Sequence, residues 1–111
     1  MSDYITVASV SEIPSGTGRT VEVAGVWIAV FNLNGTFYAI DNTCPHAGGP
    51  LGEGKVCGND VECPWHGWKV NIVSGERVGN PNFQVPRCDV RVIDGRIEIR
   101  LPVELQFPPL N

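Results

Sequence analysis

The sequence predicts an all-β domain built from short antiparallel strands. It contains 13 glycines and 9 prolines, together about a fifth of its 111 residues, and such residues typically punctuate short strands. Two-residue turns that favour β-hairpins occur at Asn34-Gly35 and at Asp94-Gly95. No window of useful length has a helical period, although residues 9–13 fit one short helical turn.

Two hairpin regions justify this fold class. In the first, residues 19–23, Val26–Leu33 and residues 36–40 read as three consecutive strands. The middle run is apolar on both faces, so we predict a buried central strand with Trp27 in the core. In the second, residues 89–93 and Arg96–Arg100 flank the Asp94-Gly95 turn, and each strand carries its apolar side chains on one face.

Composition limits the class of protein. A chain of 111 residues with 42% hydrophobic and 18% charged residues is expected to be one folded domain. Its formal net charge of −4 argues against a nucleic-acid binder. The first residues lack a basic start and an apolar run, so we expect no secretory signal, a cytoplasmic protein and reduced thiols. No apolar run is long enough to span a membrane. Three prolines in residues 102–111 predict an extended C-terminal arm on the surface.

The segment from about residue 42 to 79 differs from the hairpins in composition. It contains both histidines, three of the four cysteines and two of the three tryptophans. We expect short strands near residues 55–56, 61–62 and 68–71, which carry two loops. The first loop begins Cys44-Pro-His46 and the second reads Cys63-Pro-Trp-His66, with sixteen residues between the two motifs.

Each loop supplies one thiolate and one imidazole, and three glycines at positions 48, 49 and 67 let the backbone bend around an inorganic group. Because the chain has only 2 histidines, any site that needs three imidazoles is excluded. A Cys₂His₂ set also suits structural zinc, although the C-x-H spacing is tighter than zinc sites usually have.

This two-part motif resembles the Rieske-type [2Fe–2S] proteins, most closely the small soluble Rieske ferredoxins. The resemblance implies a single domain over residues 1–111, an antiparallel β-sandwich or barrel with a small cluster-binding subdomain at about residues 42–79. It further implies that Cys44 and Cys63 hold the buried iron of one [2Fe–2S] cluster, and that His46 and His66 hold the outer iron. The resemblance continues through residues 68–76, and Asn80-Pro81 loosely matches a proline loop that covers the cluster.

Departures from the high-potential members of the family predict a low reduction potential. Those proteins have a disulfide where this chain has Gly49 and Trp65, and hydroxyl donors to the cluster where it has Trp68 and Val70. Donors to the sulfurs stabilise the reduced cluster, so their absence predicts a potential of roughly −150 mV, near the low end of the Rieske range.

The function that the resemblance implies is electron transfer without a catalytic residue of its own. One cluster uses both histidines, which leaves none for a mononuclear iron that activates oxygen. We expect a ferredoxin component that takes electrons from a reductase and passes them to an aromatic-ring oxygenase. Two alternatives are the small Rieske subunit of an assimilatory NADH-dependent nitrite reductase and a zinc-stapled interaction module. Neither a nucleic acid nor a membrane is an expected partner.

Three further expectations concern side chains around the loops. Cys57 and Cys88 are interpreted as buried or half-buried structural thiols outside the cluster, and a Cys57–Cys88 disulfide is the alternative. Trp65 and Trp68 either shield the cluster from water or, in the case of Trp65, join a docking surface. Residues 1–62 carry seven acids and two bases, which favours a partner with a basic docking face. The acids nearest the loops in sequence are Asp41, Glu53, Asp60 and Glu62.

Overall fold

The computed structural model describes residues 4–44, 48–65 and 67–106, and it is all-β, as predicted. Three short 3₁₀ turns accompany the strands, at Val10–Glu12, Leu51–Glu53 and Val103–Leu105. No helix in these ranges is long and apolar enough to cross a membrane. The strands are β1 (Ile5–Ser9), β2 (Thr17–Val23), β3 (Val26–Leu33), β4 (Thr36–Asp41), β5 (Lys55–Cys57), β6 (Asp60–Glu62), β7 (Lys69–Asn71), β8 (Glu76–Arg77), β9 (Asn80–Gln84), β10 (Arg87–Ile93) and β11 (Arg96–Arg100).

Six strands form a larger antiparallel sheet in the order β1-β11-β10-β4-β3-β2. Its two edge strands approach each other, so the sheet is a nearly closed barrel. The two predicted turns are present, with positive φ at Asn34 (55°), Gly35 (90°), Asp94 (53°) and Gly95 (75°). Positive φ at both central residues gives the turn twist that hairpins require, which is why Asn-Gly and Asp-Gly stand there.

The other five strands form a smaller antiparallel sheet in the order β5-β6-β7-β8-β9. It is inserted between β4 and β10, which pair with each other through Ile40 opposite Arg87 and Ala39 opposite Cys88. The six strands of the barrel therefore form one sheet without the insertion, and the smaller sheet packs against one side of it. Because β4 ends at Asp41, the chain leaves the barrel immediately before the first cysteine loop.

Two apolar cores follow from this arrangement. The first fills the barrel and includes Ile28, Val30, Ile97 and Ile99, all fully buried. The second lies between the barrel and the smaller sheet, and its buried members are Ala29, Phe31, Ile40, Cys44, Leu51, Val61, Cys63, Val70, Ile72 and Val85. β3 therefore supplies alternate side chains to both cores, as expected for a central strand.

Two expectations from the sequence are wrong. Trp27 is 56% exposed, because it occupies the end of β3 beyond the row of Ala29 and Phe31 that the second core covers. The arm is not extended at its start, where Val103–Leu105 form a 3₁₀ turn and Leu105 is buried in the barrel core. Residues 107–111 of the predicted arm lie outside the described residues.

Candidate metal centre

Cys44 and Cys63 lie in the second core, and each is only 1% exposed. The first loop follows β4 and is closed by an isolated β-bridge between Thr43 and Pro50. The second loop joins β6 to β7 and is closed by the pairing of Glu62 with Lys69. The structure thus brings together the two cysteines that the motif places nineteen positions apart.

The two loops have the same backbone hydrogen bonds. In the first loop the N–H of Cys44 donates to the carbonyl of Gly49 (2.9 Å), and the N–H of Gly48 donates to the carbonyl of Cys44 (3.0 Å). In the second loop the N–H of Cys63 donates to the carbonyl of Trp68 (2.7 Å), and the N–H of Gly67 donates to the carbonyl of Cys63 (3.0 Å). Each cysteine therefore has the same place in its loop.

Glycine is required at the fourth residue after each cysteine. Gly48 has φ of 76° and Gly67 has φ of 74°, in the left-handed region that other residues enter at a cost. The shared conformation at these two positions is what lets both loops curl in the same way. Both glycines can be seen in the sequence, and the structure shows that positive φ is the reason why glycine occupies these positions.

The loops touch each other at Gly49. A β-carbon at this position would lie 2.6 Å from the Sγ atom of Cys63 and 3.0 Å from the Cγ atom of Trp65. Because Gly49 has a hydrogen in place of a side chain, there is room for the Cys63 thiol beside it. Positions 49 and 65 are close to each other, which agrees with the proposed match to the disulfide of high-potential proteins.

His46 and His66 both lie outside the described residues. Within the described ranges, no group of three or more His, Cys, Asp or Glu side chains is placed to hold a metal ion. Two buried thiols in matching loops, with a glycine where the loops meet, are a donor set that suits the cysteine-bound iron of a [2Fe–2S] cluster. The residues present therefore fit that group.

Asn42 is a site residue that the motif did not reveal. It is 8% exposed, and its Oδ1 atom accepts hydrogen bonds from the N–H of Gly52 (2.7 Å) and the hydroxyl of Thr20 (3.1 Å). Its backbone N–H donates to the carbonyl of Trp27 (3.1 Å). Asn42 therefore fixes the entry and the exit of the first loop to the barrel. The only signal in the sequence was a polar residue between a strand and the motif.

A second group of side chains flanks the other loop. The ring of Trp68 meets the ring of Phe83 edge to face, with centroids 5.3 Å apart. The guanidinium carbon of Arg77 lies 3.3 Å from the centroid of the Trp68 ring. Trp65, in contrast, is 58% exposed, so its indole does not serve only as a shield.

Cys57 and Cys88 lie apart from the two loops, on β5 and β10, and neither forms a disulfide. Cys88 is half-buried, as predicted, whereas the prediction of burial is wrong for Cys57, which is exposed at the end of β5. Burial raises the pKa of the Cys88 thiol to about 12, and the nearby carboxylates of Asp41 and Asp89 add to this effect. A thiol with such a pKa stays protonated near neutral pH and is a poor metal ligand.

Residues 3–93 match the family model of the Rieske [2Fe–2S] domain, so the chain belongs to that family and carries one Rieske [2Fe–2S] cluster. It is 32% identical to the ferredoxin component of the naphthalene 1,2-dioxygenase/salicylate 5-hydroxylase systems of Ralstonia sp.. That match covers 89% of this chain and 96% of the relative. Apoptosis-inducing factor 3 of Mus musculus is also 32% identical, but the chain spans only 16% of its length.

Solved structures agree with this assignment. A chain of the complex of reduced oxygenase and oxidized ferredoxin in carbazole 1,9a-dioxygenase has a TM-score of 0.80 and 30% identity. The match covers 87% of this chain and 92% of that one. A structure described as an NADH-dependent nitrite reductase small subunit from Mycobacterium tuberculosis has a TM-score of 0.84, covering 92% and 97% of the two chains. At 24% identity that likeness shows the fold alone.

Proposed function

We propose that this protein is a one-electron carrier, the ferredoxin component that passes electrons from a reductase to a multicomponent aromatic-ring oxygenase. The proposal is supported by the Ralstonia relative, which the chain matches over 96% of its length and which is named as such a component. It is also supported by the 30% identical chain in a complex of oxygenase and ferredoxin. The protein is not the catalyst itself.

The observation that carries the proposal is the pair of buried thiols in two loops with matching hydrogen bonds. We assign Cys44 and Cys63 to the inner iron and His46 and His66 to the outer iron, within a cluster-binding segment at about residues 42–79. When bound, the cluster supplies reversible one-electron transfer. The chain excludes water from the thiols, because both are buried in the second core.

We propose that the partner docks at the surface formed by the two cysteine loops, where the Trp65 side chain is 58% exposed. Aromatic side chains that are partly exposed are frequent in interface centres. Glu53 is exposed and Asp60 and Glu62 are half-buried, which is the acidic surface expected to meet a basic partner. Electron transfer to the partner should therefore slow as salt is added, and a rate independent of salt would contradict this docking mode.

The nitrite reductase subunit is the second candidate, and the solved structure described in that way shares the fold of this chain, with a TM-score of 0.84. The two candidates differ in the acceptor protein, so copurification with a sirohaem subunit would favour the second over the first. Because the chain belongs to the Rieske family, we interpret the motif as a cluster site and not as the zinc site of an interaction module. We assign the protein to the cytoplasm, where the unpaired Cys57 thiol suits a reducing compartment.

The test is electron paramagnetic resonance of the dithionite-reduced protein, with iron and sulfide analysis. We expect two irons per chain and a rhombic signal of low average g from the mixed ligands. C44S and C63S should each lose the signal and the iron. C57S and C88S are the matched controls and should keep both. Iron-loaded protein without the signal would overturn the proposed function.

A further inference from the structure

We propose that Arg77 and Glu62 set the reduction potential of the cluster from opposite sides of the second loop, Arg77 raising it and Glu62 lowering it. This inference rests on the proposed function in one respect, that the cluster is held by the cysteine loops. Both residues flank the loop in space, and neither belongs to the ligand motif.

Arg77 reaches the loop through Trp68, the residue that closes it. The guanidinium carbon lies 3.3 Å from the Trp68 ring centroid and 5.9 Å from the Phe83 ring centroid. The carbonyl of Trp68 accepts the N–H of Cys63 at 2.7 Å. The cation is therefore held against an aromatic residue whose backbone carbonyl is hydrogen bonded to Cys63, a cysteine that we assign as a ligand. Stacking over an aromatic face fixes a guanidinium more closely than solvent does.

Glu62 lies on the other side of the same loop. Its Oε2 atom is 3.5 Å from the position that a β-carbon on Gly67 would occupy. Gly67 is the residue between His66 and Trp68, and Glu62 directly precedes Cys63. The last two residues of the loop, Gly67 and Trp68, therefore each lie against a charged side chain, and the two charges have opposite sign.

Neither Arg77 nor Glu62 forms an ion pair in the described part of the chain, although Glu62 lies opposite Lys55 and Lys69 in the strand register. The ion pairs there join Arg19 to Glu12, Arg91 to Glu98 and Arg100 to Asp89. Arg77 and Glu62 are both half-buried, so solvent and salt screen them less than they screen exposed charges. A reduced cluster is one charge more negative than an oxidised one, so a fixed cation favours reduction and a fixed carboxylate opposes it.

These two charges can shift the reduction potential of the cluster in a chain that lacks the hydroxyl donors of the high-potential proteins. The positions at which high-potential proteins have hydroxyl donors are Trp68 and Val70 here, and the Val70 side chain is completely buried and apolar. The charges at Arg77 and Glu62 act through space and require no hydroxyl. The Arg77 guanidinium lies over the Trp68 ring, and the Glu62 carboxylate lies 3.5 Å from the position that a β-carbon on Gly67 would occupy.

The experiment compares the midpoint potentials of wild-type protein, R77Q and E62Q by optical redox titration of the holoprotein. At a solution potential equal to the wild-type midpoint, half of the wild-type clusters are reduced. We expect clearly less than half to be reduced in R77Q and clearly more than half in E62Q. R77K keeps the charge and should lie nearer to wild type than R77Q. A loosened loop would move R77Q and E62Q in the same direction, so opposite shifts separate electrostatics from structure.

R91Q is the matched control, because Arg91 also stacks on an aromatic ring, that of Tyr4 at 4.0 Å, but lies on β10 in the barrel. Its midpoint should equal that of wild type. Equal midpoints for wild type, R77Q and E62Q would overturn the inference, and so would shifts of the same sign. If R77Q does not retain its cluster, the midpoint potential of E62Q decides: a value above that of wild type supports the inference, and an equal or lower value overturns it. Loss of the Rieske signal in wild-type protein is a separate outcome and counts against the proposed function.

Discussion

The side-chain oxygen of Asn42 accepts the backbone N–H of Gly52 at 2.7 Å, across the base of the first cysteine loop. Asn42 stands two residues before Cys44, and Gly52 lies in the 3₁₀ turn that follows the loop. The backbone of Asn42 adds a second tie, because its carbonyl accepts the N–H of Leu51 at 2.7 Å. One buried amide therefore clamps both ends of the loop.

Replacing Asn42 with alanine should lower the free energy of unfolding by about 1–3 kcal/mol, the usual cost of leaving a buried donor without its partner. The donor left behind is the backbone N–H of Gly52, which donates to Asn42 at 2.7 Å in a buried position. Denaturant unfolding measures the change.

T20V is the matched control for N42A. It removes only the 3.1 Å hydrogen bond from the Thr20 hydroxyl and leaves the bond from Gly52 to Asn42 in place. Its cost should be smaller, about 1 kcal/mol. An N42A protein no less stable than T20V would show that the amide does not clamp the loop.

Replacing Gly49 with alanine should prevent the protein from retaining its cluster. The new β-carbon would lie 2.6 Å from the Sγ atom of Cys63, so either the thiol or the Trp65 indole must move. We expect G49A to lose most of its iron and visible absorbance, and to be destabilised by about 1–3 kcal/mol through overpacking. Iron content per chain is the measurement.

Gly58→Ala separates the effect of the clash from the effect of replacing any glycine. Gly58 has φ of 62°, and no atom lies within 4 Å of the position of a β-carbon there. Alanine at this position should therefore lower the free energy of unfolding only by the cost of positive φ, about 1–2 kcal/mol. It should retain full iron. Equal iron in G49A and G58A would mean that the loops do not need the space at Gly49.

The hairpins and the cysteine loops could be predicted from the sequence because their signals are local. Asn34-Gly35 forms its turn through the φ preferences of those two residues alone. The strands β1, β8 and β9 were not predicted; β8 and β9 depend on pairing with partners in the smaller sheet and have no alternating pattern of their own. β9, with the sequence Asn-Pro-Asn-Phe-Gln, has little of the composition typical of strands.

Trp27 and Arg77 show what the sequence could not predict. Trp27 lies in an apolar run, but its burial depends on how far the second core extends along β3, and that core does not cover it. Arg77 contacts Trp68 because β7 and β8 are paired, with Val70 opposite Arg77. Contacts of this kind depend on strand register, which hydrophobic patterning alone does not specify for two-residue strands.

The cluster should have a low reduction potential, roughly −150 mV, near the low end of the range for Rieske centres. Neither Trp68 nor Val70 offers a hydroxyl, and Val70 is fully buried in the second core. Protein-film or optical titration of the wild-type protein measures the midpoint. A value above about +100 mV would require donors to the cluster sulfurs that these residues do not provide.

Alkylation should distinguish the two cysteines outside the loops. Cys57 is exposed on β5, whereas burial and the carboxylates of Asp41 and Asp89 raise the pKa of Cys88 to about 12. The thiolate is the reactive form, and a thiol with this pKa is almost entirely protonated at pH 8. Iodoacetamide at that pH should modify holoprotein once, at Cys57, and C57S should resist. The rate at Cys88 should rise about tenfold for each pH unit up to its pKa, since its thiolate fraction does. Peptide mass spectrometry gives both rates, and labelling of Cys88 as fast as Cys57 at pH 8 would contradict the packing of Cys88 against the barrel core.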